Sequence, residues 1–198
     1  MAEPAGDDAP RLPFYTIGHS TRTLAAFTAL LRVAGVTWVA DIRTVPRSRA
    51  NPQFNADALP TSLAAADIGY SHIAALGGLR GKTAGIAPVT NGYWQNGSFH
   101  RYADYTLTPA FADGLAQLLA LGRRQPTAMM CAEAVWWRCH RRIVTDHLLA
   151  RGEAVFHLMD DDRIEPATLT PGAVVGVNGA VTYPAPPAAQ PLLPGIAP

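Results

Sequence analysis

Two cysteines and a histidine lie close together in the segment TAMMCAEAVWWRCHRR. Cys131 ends an apolar run of strand type and precedes a predicted helix, where backbone N–H groups lower a thiol pKa and favour the thiolate. Glu133 can carry a proton or pair with an arginine, and Cys139 and His140 follow early in the predicted helix. The segment predicts a nucleophile at Cys131 that is more acidic than an ordinary thiol. The alternative is a cysteine that only packs.

The spacing around Cys131 excludes some familiar thiol and metal sites. The phosphate loop of cysteine phosphatases and rhodaneses has an arginine six residues after the cysteine, and Trp137 occupies that position here. Cys-x7-Cys-His is not a usual zinc spacing, so we assign no metal ligands and no cofactor. A disulfide between Cys131 and Cys139 is disfavoured if Cys139 lies inside a helix, because the Cα atoms must come within about 7 Å.

Arginines supply nearly all the positive charge. Fifteen of the sixteen basic residues are arginine, and residues 12–159 carry fourteen basic against eight acidic side chains. Guanidinium groups suit phosphates and carboxylates, although a GC-rich genome gives the same composition. In the segment DIRTVPRSR, Asp41 at a strand end is expected to orient Arg43. The residues predicted to hold an anion are Asp41, Arg43, Arg49, Gly77, Gly78, Arg80 and Arg141.

The segment from Gly77 to Thr106 shows little helical or strand periodicity and is predicted to be a long irregular loop. Its glycine–lysine stretch has one residue too few between the glycines for a phosphate-binding loop, which excludes that class of ATPase. Aromatic and basic residues alternate along it. That pattern suits stacking on nucleobases, or a lid whose rings pack against the core.

The rest of the chain alternates short apolar strands with amphipathic helices. We predict strands at 14–17, 36–42, 70–73, 127–131 and 154–158, and helices at 20–34, 55–67, 108–121 and 137–150. This alternation predicts an α/β fold in three layers, with a mostly parallel open sheet that is Rossmann-like in the broad sense. Ligands of such sheets bind at the carboxyl ends of the strands, where His19, Asp41 and Cys131 are expected to meet.

The sequence divides into four segments. Residues 1–12 are predicted to be a flexible N-terminus, and residues 13–165 a single α/β domain. Residues 166–183 form a predicted hairpin extension that turns at Asn178–Gly179, and 184–198 a tail rich in proline and alanine. No apolar run approaches the length of a membrane span, and the first eleven residues lack the apolar part of a secretory signal. We therefore expect no membrane association and a cytoplasmic protein with reduced cysteines.

Five motifs occur in order along the chain: YTIGHSTRTLAAF, VADIRTVPRSRANPQFN, GYSHIAALGGLR, FHRYADYTLTPAF and MCAEAVWWRCHRR. Together they resemble the successive motifs of the domain of unknown function 488 family, from about Phe14 to Met159. The resemblance implies an α/β domain but no reaction. The residues that match its motif positions are His19, Asp41, Arg43, Pro46, Arg49, Gly77, Gly78, Cys131, Glu133, Cys139, His140 and Arg141.

Three functions fit these residues. The first is a cysteine-dependent transferase or hydrolase acting on an anionic small molecule or nucleic acid, with Cys131 as nucleophile and Glu133, His19 and His140 moving protons. The second is a non-catalytic module in which the arginines bind nucleic acid or another anion. The third is a redox-sensing or metal-sensing domain.

Overall fold

A mixed sheet of six strands forms the centre of the protein in the computed structural model, which describes residues 11–160 and 163–186. The strand order is β3-β2-β4-β1-β5-β6, and only β6 runs antiparallel to its neighbour. The strands are β1 (Phe14–Gly18), β2 (Trp38–Asp41), β3 (Gly69–His72), β4 (Thr127–Cys131), β5 (Val155–Leu158) and β6 (Ile164–Pro166). The predicted mostly parallel sheet is confirmed, and β6 is an addition that the sequence pattern did not indicate.

Helices cover both faces of the sheet, as the three-layer prediction requires. The helices are α1 (Leu24–Val33), α2 (Leu59–Ala64), α3 (Gly97–Tyr105), α4 (Pro109–Gly122) and α5 (Arg141–Leu149). One apolar core packs Ile17 and Met130 of the sheet against α1 and α2. The other packs Phe14 and Met129 against α3, α4 and α5. Adjacent residues of one strand, such as Met129 and Met130, therefore pack into different cores, and the sheet is buried on both faces.

The predicted irregular loop between Gly77 and Thr106 contains α3, so that prediction is wrong for residues 97–105. The side chain of Asn96 accepts hydrogen bonds from the first N–H groups of the helix, which replaces the missing intrahelical partners. Tyr102 is buried in the core, and its hydroxyl donates to the carbonyl of Leu76 at 2.7 Å. Packing of the α3 aromatic side chains against the core stabilises this helix.

The last helix begins later than predicted. The chain makes a short 3-10 turn at Trp136–Arg138, Cys139 is extended, and α5 starts only at Arg141. The ring of Trp136 stacks on His157 of β5 with ring centroids 4.3 Å apart. This contact with a distant strand holds the turn, which is why the local sequence did not reveal it. Cys139 and His140 consequently precede the helix instead of lying inside it.

The predicted hairpin is present as β7 (Val174–Val175) and β8 (Val181–Thr182). Asn178 and Gly179 in its turn have φ angles of 65° and 70°, the left-handed conformation that these residue types tolerate. Most of the predicted flexible N-terminus and Pro/Ala-rich tail, namely 1–10 and 187–198, lies outside the described residues. Within the part of the chain that is described, no helix has the length and apolar character that crossing a membrane requires.

Candidate functional site

Three neighbouring strands end side by side and bring the predicted site residues together. Gly18 of β1 pairs with Cys131 of β4, and the next residue, His19, donates its backbone N–H to the carbonyl of Cys131 at 2.9 Å. On the other side of β4, the N–H of Ile42 donates to the carbonyl of Met130 at 3.0 Å. The carboxyl ends of these strands therefore form one edge, as the sequence predicted.

A cavity of about 620 Å³ opens at this edge. A volume of this size accommodates a ligand of nucleotide dimensions. Six of the predicted site residues line it: His19, Arg43, Gly78, Cys131, Glu133 and His140. Cys139, which the family motif marked but the proposed catalytic set did not include, lines it as well.

The cavity floor carries a Cys–His cluster that consists of Cys131, Cys139 and His140. The Nδ1 atom of His140 lies 3.8 Å from Sγ of Cys131 and 3.6 Å from Sγ of Cys139. Its Nε2 atom lies 3.0 Å from the carbonyl oxygen of Ile42, which can only accept. The hydrogen-bond network therefore assigns the proton to Nε2 and leaves the Nδ1 lone pair directed at the two sulfurs.

The surroundings of the two thiols favour a thiolate on Cys139 rather than on Cys131, where the sequence predicted it. Burial opposes ionisation of Cys139, yet the hydrogen bond with Cys131 and the nearby His140 and Arg141 together hold the pKa of Cys139 well below its ordinary value. The hydrogen bond with Cys139, together with burial, raises the pKa of Cys131 well above its ordinary value. The geometry gives the same preference, since Nε of Arg141 donates to Sγ of Cys139 at 3.3 Å, so the predicted acidic thiol at Cys131 is not supported.

Arg141 is buried behind the cluster and does not line the cavity. We expected the carboxylate of Glu133 to orient it, but its Nη2 atom donates to the backbone carbonyl of Glu133 at 2.7 Å. The Glu133 side chain is exposed on the cavity wall. Arg141 therefore stabilises negative charge on Cys139 instead of contacting a ligand directly.

Asp41 orients Arg43 as expected. Both oxygens of this fully buried carboxylate accept hydrogen bonds from the Arg43 guanidinium, the shortest at 2.6 Å. Tyr70 donates to the same carboxylate at 2.8 Å, and Arg43 also donates to the carbonyl of Phe54 at 2.7 Å. Asp41 itself lies behind Arg43 and does not line the cavity. Asp41 compensates the charge of Arg43, and the pair forms a fixed part of the cavity wall because most of the guanidinium donors are already engaged.

His19 lies beside Arg43 in the cavity wall and accepts a hydrogen bond from it. Its Nδ1 atom donates to the carbonyl of Ser20 at 2.9 Å, and its Nε2 atom lies 3.2 Å from Nη1 of Arg43, which donates to it. Burial, together with the charge of Arg43, lowers the pKa of His19. The ring also stacks on Phe54 with centroids 4.4 Å apart. His19 is thus a neutral imidazole with both nitrogens engaged, and its contacts fit positioning of Arg43.

Four other residues were predicted to hold an anion, and three of them do not line the cavity. Gly77 packs against Thr44, and the side chain of Arg80 donates to the carbonyls of residues 74, 75 and 77. Arg49 is exposed and does not line the cavity. A Cβ atom on Gly78 would meet Nδ1 of His140 at 2.5 Å, so glycine is required there for the imidazole to reach its place. Gly78 is the one of these four residues that touches the cavity.

Two cationic residues at the cavity lie outside the set of predicted site residues, although Arg47 belongs to the arginine-rich segment that was expected to meet an anion. Arg47 and Arg138 are exposed and line it, and among the described residues neither guanidinium group has a hydrogen-bond or ion-pair partner. Arg47 lies in the arginine-rich segment after β2, and Arg138 directly precedes Cys139. Their positions beside motif residues were a signal, but only tertiary structure distinguishes available guanidinium groups from engaged ones.

Comparison with known proteins identifies a family and no function. Residues 23–148 match the sequence model of the family described as "Domain of unknown function DUF488". No match was found among the curated proteins or the solved structures. The matched range contains β2, β3, β4 and the whole Cys–His cluster. On this match, the chain belongs to the DUF488 family.

Proposed function

We propose that the protein is an enzyme that binds an anionic substrate in the cavity and acts on it with a cysteine thiolate. One observation carries the proposal: the unprotonated Nδ1 of His140 faces two cysteine sulfurs, at 3.6 and 3.8 Å, on the floor of a cavity with cationic walls. A thiol beside a positioned base is the arrangement that nucleophilic catalysis requires.

The cavity chemistry favours an anion of nucleotide size. Arg47 and Arg138 supply exposed guanidinium groups at the rim, and Arg43, whose charge Asp41 compensates, forms a fixed part of the wall. The rings of Phe99 and Tyr102 lie on the wall and offer an apolar surface to the rest of the ligand. These contacts support a phosphorylated or carboxylated small molecule, or a nucleic-acid end, as the substrate.

The reaction begins with transfer of the Cys139 thiol proton to Nδ1 of His140, while the N–H of Arg141 stabilises the thiolate. The sulfur attacks the electrophilic atom of the substrate, a bond from sulfur to that atom forms, and the bond to the leaving group breaks. The leaving group takes the proton from His140. Water or a second acceptor then displaces the sulfur, and Glu133 on the cavity wall takes the proton of that nucleophile.

Cys139 rather than Cys131 is the nucleophile in this proposal, because Arg141 contacts only the Cys139 sulfur. Cys131 acts as its hydrogen-bonding partner. The proposed setting is the cytoplasm, since two free cysteines in contact suit a reducing compartment.

Activity measurements on matched variants test the proposal. Wild type, Cys139→Ser, Cys131→Ser and the control Arg124→Ala are assayed against phosphomonoesters, phosphodiesters, thioesters and carboxylic esters. We expect Cys139→Ser to abolish turnover of the accepted class and Arg124→Ala to leave it unchanged. Turnover that survives in folded Cys139→Ser protein would refute Cys139 as the nucleophile, and anion binding without any turnover would favour the non-catalytic module.

A further inference from the structure

The Cys–His cluster has the composition and geometry of a metal site. We propose that Cys131, Cys139 and His140 bind a zinc ion, and that zinc occupancy suppresses the thiolate reaction. The second part rests on the function proposed above, whereas the first part depends only on the geometry of the cluster.

The two nitrogen–sulfur separations in the cluster are close to those of a tetrahedral zinc site. Nδ1 of His140 is 3.8 Å and 3.6 Å from the two sulfurs, and all three atoms lie within 4.8 Å of one another. With Zn–S bonds of about 2.3 Å and Zn–N bonds of about 2.0 Å, tetrahedral geometry places sulfur and nitrogen about 3.5 Å apart. An ion can enter the cluster with little movement of its ligands. Two thiolates and an imidazole favour zinc over the hard cations magnesium and calcium.

The groups around the cluster match the outer shell of a metal site. The Nε2–H group of His140 donates to the carbonyl of Ile42, which fixes the tautomer that presents Nδ1 to the ion. The absence of a side chain at Gly78 leaves room for the ring in this orientation. Arg141 donates to the Cys139 sulfur and offsets part of the negative charge of two thiolates.

The unusual Cys-x7-Cys-His spacing is explained by the fold. Cys131 ends β4, and the turn at Trp136–Arg138 brings the chain back so that Cys139 and His140 lie beside it. Among the described residues, no fourth histidine, cysteine or carboxylate joins the group. Three protein ligands leave one coordination position for water or an anion, and the cluster lines the cavity.

Zinc and the proposed reaction compete for the same lone pairs. Binding of Zn²⁺ displaces the thiol protons of both cysteines and occupies Nδ1 of His140, so the thiolate loses its nucleophilicity and the base is blocked. Zinc-loaded protein is therefore expected to be inactive towards the substrate, and removal of zinc restores the reaction.

Cobalt titration of the chelator-treated full chain tests the binding part. We expect one Co²⁺ per chain, with the intense near-ultraviolet band of cobalt–thiolate charge transfer, and displacement of that band by Zn²⁺. Cys131→Ser and Cys139→Ser each weaken the band, and His140→Ala lowers the affinity at least tenfold. His100→Ala, a histidine outside the cluster and the cavity, leaves both unchanged. Binding without the thiolate band, or no binding at all, overturns the zinc site.

Alkylation of wild-type protein avoids any dependence on variants that fold poorly. Iodoacetamide labelling, read by peptide mass, should slow at least tenfold at both cysteines when zinc is added and recover with chelator. Unchanged labelling overturns the zinc site. In that case the proposed function is still tested, by comparing the activity of chelator-treated wild type with that of Cys139→Ser. If zinc binds while activity of the chelated enzyme does not depend on Cys139, the site stands and the regulation fails with the proposed function.

Discussion

Replacing Asp41 with asparagine removes the negative partner of a buried arginine. Asp41 is fully buried and Arg43 is 5 % exposed, and the pair joins the end of β2 to the cavity wall. Asparagine keeps the shape of the side chain but leaves the guanidinium charge without compensation. Breaking a buried ion pair in this way costs about 3–5 kcal/mol.

The loss of stability in Asp41→Asn is measured as the change in the free energy of unfolding, by urea denaturation at pH 7 followed by tryptophan fluorescence. A loss of that size corresponds to a fall in the melting temperature of roughly 6–20 °C for a domain of this length. The matched control is Glu165→Gln, which breaks the ion pair between Arg163 and Glu165 at 3.0 Å, where the side chains are 59 % and 40 % exposed. Solvent screens that pair, so its loss costs at most about 1 kcal/mol. Equal small losses in both variants would refute the conclusion that the Asp41–Arg43 pair holds the cavity wall.

Three further predictions follow from particular contacts. Gly78→Ala pushes a Cβ into the ring of His140 and is expected to abolish cluster-dependent activity and destabilise the protein, whereas Gly81→Ala meets no atom within 4 Å and should change neither. Burial lowers the pKa of His147 from 6.5 to about 3. As the pH falls, the His147 imidazole is therefore protonated in the unfolded chain before it is protonated in the folded protein. Stability should therefore fall as pH drops from 6.5 towards 3, and His147→Leu should flatten that slope in urea denaturation at several pH values; an unchanged slope would contradict it. Tyr183→Phe removes a buried 2.7 Å hydrogen bond to the Asp146 carboxylate of α5 and should cost about 1–3 kcal/mol in the same assay; a loss near zero would contradict a stabilising role for this bond.

Local sequence signals predicted the elements that position the site. The apolar run before Cys131 specified β4 to the residue, and Thr108 caps α4 as its position before Pro109 indicated. Strands alternating with helices then required a parallel sheet, whose carboxyl edge brings His19, Arg43 and Cys131 together.

Long-range contacts decided what the sequence could not predict. Trp136, in the turn before α5, stacks on His157, twenty-one residues away, and α5 starts after Cys139, which lies beside Cys131. Whether an arginine faces a ligand or a carbonyl is likewise a tertiary property: Arg141 is buried behind a sulfur, while Arg138 is exposed at the cavity. Composition and spacing carry no information about either outcome.

Equilibrium binding of anions tests the central claim, that the cavity beside the Cys–His cluster is the ligand site. The probes are inorganic phosphate, mononucleotides and short oligonucleotides. The cavity variant is the double substitution Arg47→Ala and Arg138→Ala. The control is the double substitution Arg32→Ala and Arg124→Ala, which removes the same amount of charge at exposed positions away from the cavity. We predict at least tenfold weaker binding of the preferred probe in the cavity variant, no change in the control, and persistence of the difference at high salt. Equal losses in both variants that vanish at high salt would contradict the account, because they indicate a diffuse basic surface rather than a site.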